Sequence, residues 1–186
     1  MNKENSTTSR KSVFNIPNTI SWLRIALTVV IVLLMYFGKN LLAFVFFLIA
    51  SISDYFDGYL ARRLKQVTSL GKVLDQMSDK ILITSILVVF VELHIVPSWL
   101  VVIIILRDTL VSVVRMLASE SGRIVAANIF GKLKTVSQMI LTIGLYIQLL
   151  GFRIEVFTTV LIYFVAVVTV LSGVIYLYQN REFLNK

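Results

Sequence analysis

Residues 41–80 read LLAFVFFLIA SISDYFDGYL ARRLKQVTSL GKVLDQMSDK. Leu41 to Ile52 is uncharged; Asp54 and Asp57 follow, then Arg62, Arg63 and Lys65, then Lys72, Asp75, Asp79 and Lys80, and Ile81 to Val91 is uncharged again. The order is apolar, acidic, basic, acidic, apolar, nearly a mirror image about the basic centre. Residues three or four apart share a helix face, so each pair of carboxylates sits on one side of its helix. The short basic connection makes the two helices antiparallel. Counting about 1.5 Å of rise per residue from that connection brings all four carboxylates to a similar depth.

Apolar stretches of this kind recur outward along the chain. Residues 135–152 and 156–180 hold no charged side chain, and each is long enough as a helix to cross a hydrocarbon core of about 30 Å. Of the 186 residues, 58% are hydrophobic and 15% charged, with a mean hydropathy of +0.87, well above what a soluble globular domain carries. The expected fold is all-α: an integral membrane protein with six transmembrane helices near 18–37, 41–64, 71–93, 97–119, 132–151 and 155–179. Pro17 and Pro97 fall at helix starts, where a missing N–H costs least. With both termini inside, the cytoplasmic connections hold Arg62, Arg63, Lys65 and Lys72, then Arg123, Lys132 and Lys134, against Lys39 and Arg153 outside. Basic residues collect on the cytoplasmic side, which fixes this orientation. Residues 1–14 read as a cytoplasmic tail and 15–186 as one transmembrane domain.

The net charge of +8 suits an anionic membrane face, and no nucleic-acid partner is expected. There is no cysteine and one histidine, His94, so disulfides, thiolate metal sites and histidine clusters are excluded.

An ionisable side chain in the hydrocarbon region costs several kcal/mol and marks a functional site or a compensating partner. Four converging carboxylates repel one another unless cations neutralise them. Lys72, Lys80 and Arg62 cannot by themselves satisfy eight carboxylate oxygens. Hard divalent cations, Mg2+ or Mn2+, suit an all-oxygen set. Four carboxylates can hold two such ions, an arrangement that stabilises both attacking and leaving oxygens in a displacement at phosphorus. Phosphoryl-type transfer at the membrane surface is the chemistry this points to. A divalent-cation carrier is the reading from another class, but it calls for polar residues through the outer half of the bundle, and Leu41 to Ile52 and Ile81 to Val91 supply almost none.

Asp54, Asp57-Gly58, Ala61-Arg62, Gly71, Asp75 and Asp79 stand at the spacing of a known signature, and the chain resembles the CDP-alcohol phosphatidyltransferase family at each of those positions. The likeness continues in Asn15-Ile16-Pro17-Asn18-Thr19 and Arg24 upstream, and in Arg107-Asp108, Arg115 and Gly131 to Gln138 downstream. Those flanks are similar to members that use glycerol 3-phosphate as acceptor. Asp108 takes a place where the family often has Glu.

The resemblance implies six transmembrane helices around a cytoplasm-facing polar cavity, a homodimer in the cell membrane, and CDP-diacylglycerol as the lipid substrate, cleaved with release of CMP. It implies two Mg2+ or Mn2+ ions on Asp54, Asp57, Asp75 and Asp79, with Asp79 also the general base toward the acceptor hydroxyl. Gly58 and Ala61 are then small residues beside the nucleotide, or else sites of close helix packing. Arg62 and Thr68 are candidates for the CDP-lipid as well. Asn18 and Thr19 either join them or cap the first helix. For the acceptor phosphate the candidates are Arg63, Arg115, Lys132 and Lys134, with Arg115 and Lys132 preferred. Arg107, beside Asp108, reads equally as one half of an ion pair. The same machinery with phosphatidylglycerol, inositol phosphate or serine as acceptor is the alternative within the class.

Overall fold

A computed structural model of the protein describes residues 16–63, 69–120 and 129–181; within its helices the side chains of 16–18, 20, 54–63, 69–73, 75, 76, 117, 119 and 120 lie outside that description. The described residues form six helices and no strand. They are α1 (Ile16–Tyr36), α2 (Asn40–Arg63), α3 (Ser69–Glu92), α4 (Ser98–Glu120), α5 (Ile129–Leu149) and α6 (Glu155–Gln179). Each start and end falls within a few residues of the boundary expected from charges, glycines and prolines. Gly38 (φ +70°) and Gly151 (φ +98°) follow the ends of α1 and α5, the left-handed position where glycine is favoured after a helix.

Among the described residues, α6 is the helix long and apolar enough by itself to cross a membrane, with a mean hydropathy of 2.5 over its best window. Shorter apolar stretches run over Ser21–Tyr36 in α1 and Asn40–Ser53 in α2. Helix α1 packs against both α2 and α3, α5 packs on α6, and α6 also meets α4.

The two ends of the bundle differ in chemistry. The end carrying the turns 37–39, 93–97 and 150–154 is filled by Ile31, Met35, Phe47, Ile86, Phe90, Leu100, Leu141 and Leu145 around Tyr146. The Tyr146 ring lies 5.2 Å from that of Phe44, 5.4 Å from Phe47 and 5.2 Å from Phe90, and its hydroxyl reaches Met35 Sδ at 3.3 Å. The opposite end holds the buried ionic groups. The buried face of α1 shows the change along one helix: Ser21, Arg24 and Thr28, then Ile31 and Met35, spaced by the three and four residues that keep them on one side.

The outside of the bundle is apolar. On α6, Val156, Val160, Tyr163, Val167, Val170, Val174 and Tyr178 are all exposed, at helical spacing over its whole length.

Candidate active site

The polar end is built by pairing charges across helices. Arg24 of α1 is only 3% exposed. Its Nη1 donates to Ser78 Oγ at 3.0 Å and to Asp79 Oδ1 at 2.6 Å, both on α3. The Asp79 side chain remains 47% exposed. A buried guanidinium therefore holds a carboxylate that is itself about half exposed. The α1–α3 packing sets this geometry, because it brings the polar part of the α1 stripe opposite Ser78 and Asp79.

Asp108 of α4 is the second centre. Lys134 of α5 donates to both of its carboxylate oxygens, at 2.9 and 2.7 Å, and Arg107 Nη1 donates to Oδ1 at 3.1 Å. Lys134 is deeply buried, its side chain 6% exposed. Arg107 Nη2 reaches across to Ser172 Oγ of α6 at 2.5 Å. Lys80, the neighbour of Asp79, donates to the Asp108 main-chain oxygen at 3.0 Å and to Ser112 Oγ. Charge-assisted bonds of this kind are the strong ones, and here they tie α3, α5 and α6 to the Arg107–Asp108 segment of α4.

Both centres open on a cavity of about 530 Å³. Five basic residues, Lys80, Arg107, Arg115, Lys132 and Lys134, line it, against two acidic ones, Asp79 and Asp108. Arg115 and Lys132 are exposed and make no ion pair among the described residues. A cavity walled by more positive than negative side chains, with a carboxylate at one edge, can hold an anionic group next to a proton acceptor.

Of the residues singled out in the sequence, Asp79, Arg115, Lys132 and Lys134 come together at this cavity. Lys134 is occupied there by Asp108. Thr19 lies exposed in the first turn of α1, and Asn18 precedes it with its side chain outside the described residues. Asp54, Asp57, Gly58, Ala61, Arg62 and Arg63 fall on α2 and Asp75 on α3, with side chains outside the described residues, and Thr68 lies outside them altogether. Asp79 is thus the one member of the expected metal set whose side chain is described. It offers a hard oxygen donor toward the cavity, which fits a divalent cation. The pairing of Arg107 with Asp108, open in the sequence, is present. No role at the site fell to Arg24, Lys80, Ser112 or Tyr176 from the sequence. For Arg24 the signal was there, an arginine within an otherwise apolar run, which calls for a buried partner.

The family model for CDP-alcohol phosphatidyltransferase matches residues 14–171. A Bacillus subtilis protein named CDP-diacylglycerol--glycerol-3-phosphate 3-phosphatidyltransferase is 36% identical over 187 residues, covering 91% of this chain and 97% of that one. Proteins of the same name from Haemophilus influenzae and Rickettsia typhi are 33% and 32% identical, over 88% and 87% of this chain and 92% and 94% of their own lengths.

Proposed function

The chain belongs to the CDP-alcohol phosphatidyltransferase family, and from that premise we propose that it transfers the phosphatidyl group of CDP-diacylglycerol to glycerol 3-phosphate, giving phosphatidylglycerol phosphate and CMP. One observation carries the choice of acceptor: Asp79, Arg115 and Lys132, from three different helices, line one cavity. An acceptor that brings its own phosphate needs cations beside the reacting centre, and an alcohol without one needs none; among phosphate-bearing acceptors the relatives' names point to glycerol 3-phosphate.

In this reaction a hydroxyl oxygen of glycerol 3-phosphate attacks the phosphorus that carries the diacylglycerol. The bond from that phosphorus to the bridging oxygen breaks, CMP leaves, and the hydroxyl proton passes to Asp79. Arg115 and Lys132 hold the acceptor phosphate so that the hydroxyl meets the phosphorus, an effect of positioning. Arg24 fixes the Asp79 carboxylate. Lys134, grouped with the phosphate ligands from the sequence, acts through Asp108 by holding the cavity wall. Asn18, Thr19, Gly58, Ala61, Arg62 and Thr68 serve the CDP-lipid, and Arg63 stands with the acceptor cations. Mg2+ or Mn2+ ions held by Asp54, Asp57, Asp75 and Asp79 would supply neutralisation of the pyrophosphate charge.

We read all six helices as membrane spans of a multi-pass cell-membrane protein, a homodimer as the family resemblance implies, with the cavity facing the cytoplasm. The exposed apolar stripe along α6 supports the embedding. Helices of 21 to 25 residues run about 31–38 Å, enough to cross a bilayer core. Lys132 and Lys134, counted among the cytoplasmic basic residues, line the cavity, which supports placing it on that side.

The test is CMP release from CDP-diacylglycerol by the purified protein with Mg2+ or Mn2+, using glycerol 3-phosphate, inositol phosphate, serine or phosphatidylglycerol as acceptor. Release dependent on glycerol 3-phosphate is expected. Release with another acceptor in its place refutes the proposed acceptor, and none with any refutes the reaction.

A further inference from the structure

Helix α6 bears no charge from Val156 to Gln179, yet it walls the cavity. Ser172 accepts the bond from Arg107 Nη2, and Gly173 leaves room for the arginine stem, since a Cβ there would stand 3.0 Å from Arg107 Cγ. Tyr176 follows on the same helix face and lines the cavity with Arg107, Arg115 and Lys132. It is 3% exposed, with its ring seated against Val111 and Val114 of α4.

The Tyr176 hydroxyl is buried without a hydrogen-bond partner among the described residues. A buried hydroxyl left unpaired costs stability that a phenylalanine of the same shape would not. Arg107 Nε is likewise buried without a partner among the described residues. Two residues that each carry an unpaired buried donor thus line a cavity in which basic residues outnumber acidic ones. An occupant rich in acceptor oxygens and negative charge matches both features.

We propose that the Tyr176 hydroxyl donates a hydrogen bond to the phosphate of the acceptor, so that α6 contributes a specificity-determining residue to the acceptor site. The assignment rests on the glycerol 3-phosphate reading above and deepens it. An alcohol without a phosphate leaves the hydroxyl unpaired, and a site built to hydrogen-bond a group discriminates against ligands that lack it.

Tyr176→Phe tests this, because it removes one oxygen and keeps the ring against Val111 and Val114. The KM for glycerol 3-phosphate should rise roughly ten- to hundredfold, the range for a lost hydrogen bond to a charged group. The KM for CDP-diacylglycerol should hold, and the ligand-free melting temperature should hold or rise. In parallel, each protein is titrated with glycerol 3-phosphate and with inorganic phosphate, without lipid substrate, and its melting temperature followed. The titration midpoint should move to higher concentration in the variant. An unchanged KM together with an unchanged midpoint overturns the proposal. If the wild-type protein releases no CMP with glycerol 3-phosphate, the acceptor reading falls, and the titrations alone decide Tyr176. A shifted midpoint then upholds its phosphate contact; an unshifted one, or a wild-type protein stabilised by neither ligand, overturns it.

Discussion

Replacing Lys134 with methionine separates a cation that holds the wall from one that grips the substrate. Lys134 makes two charge-assisted bonds to Asp108, at 2.9 and 2.7 Å, from a side chain that is 6% exposed. Breaking a buried pair by removing one partner costs about 3–5 kcal/mol, because the other charge is left behind. Here Asp108 keeps Arg107 at 3.1 Å, and methionine fills most of the vacated volume, so about 3 kcal/mol is the expected loss. For a chain of this length that corresponds to a fall of roughly 6–12 °C in melting temperature. Asp108→Asn strips the partner from Arg107 and Lys134 together and should cost more. Because the two residues touch, the double variant should lose about 2 kcal/mol less than the sum of the singles. The assay is thermal unfolding in detergent for all four proteins, followed by steady-state kinetics well below the lowest transition. There, Lys134→Met should leave the KM for glycerol 3-phosphate nearer to wild type than Arg115→Ala does. A Lys134→Met protein as stable as wild type but with a greatly raised acceptor KM would refute the reasoning, and would return Lys134 to the phosphate itself.

Two other substitutions probe how the site is held. Arg24→Gln leaves Asp79 without the 2.6 Å bond that places it; kcat for CMP release should fall roughly tenfold to hundredfold, as small misplacements of reacting groups do, with both KM values nearly unchanged, and an unchanged kcat removes Arg24 from its positioning role. Gly173→Ala puts a methyl 3.0 Å from Arg107 Cγ and should destabilise by about 1–3 kcal/mol through overpacking while raising the acceptor KM, whereas Gly144→Ala, whose methyl would meet Thr158 Cγ2 at 3.4 Å, should melt close to wild type; equal behaviour of the two variants contradicts the packing described for α6.

The helices and their order were legible because charges, glycines and prolines interrupt long apolar runs at the places where the chain turns. The meeting of Asp79 with Arg115 and Lys132 was legible for a related reason: Asp79 and Lys132 lie in the N-terminal halves of α3 and α5 and Arg115 in the C-terminal half of α4, and helices that alternate in direction bring those ends together. What the sequence concealed depends on rotation about helix axes. Lys134 lies two residues from Lys132, so on a helix the two point to different sides, and only the packing of α5 decides which one faces Asp108. Arg24 was visible as an arginine in an apolar run, but its partner is fixed by which face of α3 meets α1. Tyr176 looks like one more aromatic residue in an uncharged run. Its distinguishing feature, a buried hydroxyl without a partner among the described residues, does not exist until α4 and α6 close around it.

The most direct measurement is the balance of transfer in vesicles. The purified protein is reconstituted with CDP-diacylglycerol and Mg2+, given carbon-labelled glycerol 3-phosphate, and both CMP release and label entering the organic-extractable lipid are counted. Transfer predicts equal molar amounts of the two, with both lost when EDTA removes the metal. CMP release without label in the lipid would mean hydrolysis instead of transfer and would contradict the proposed function.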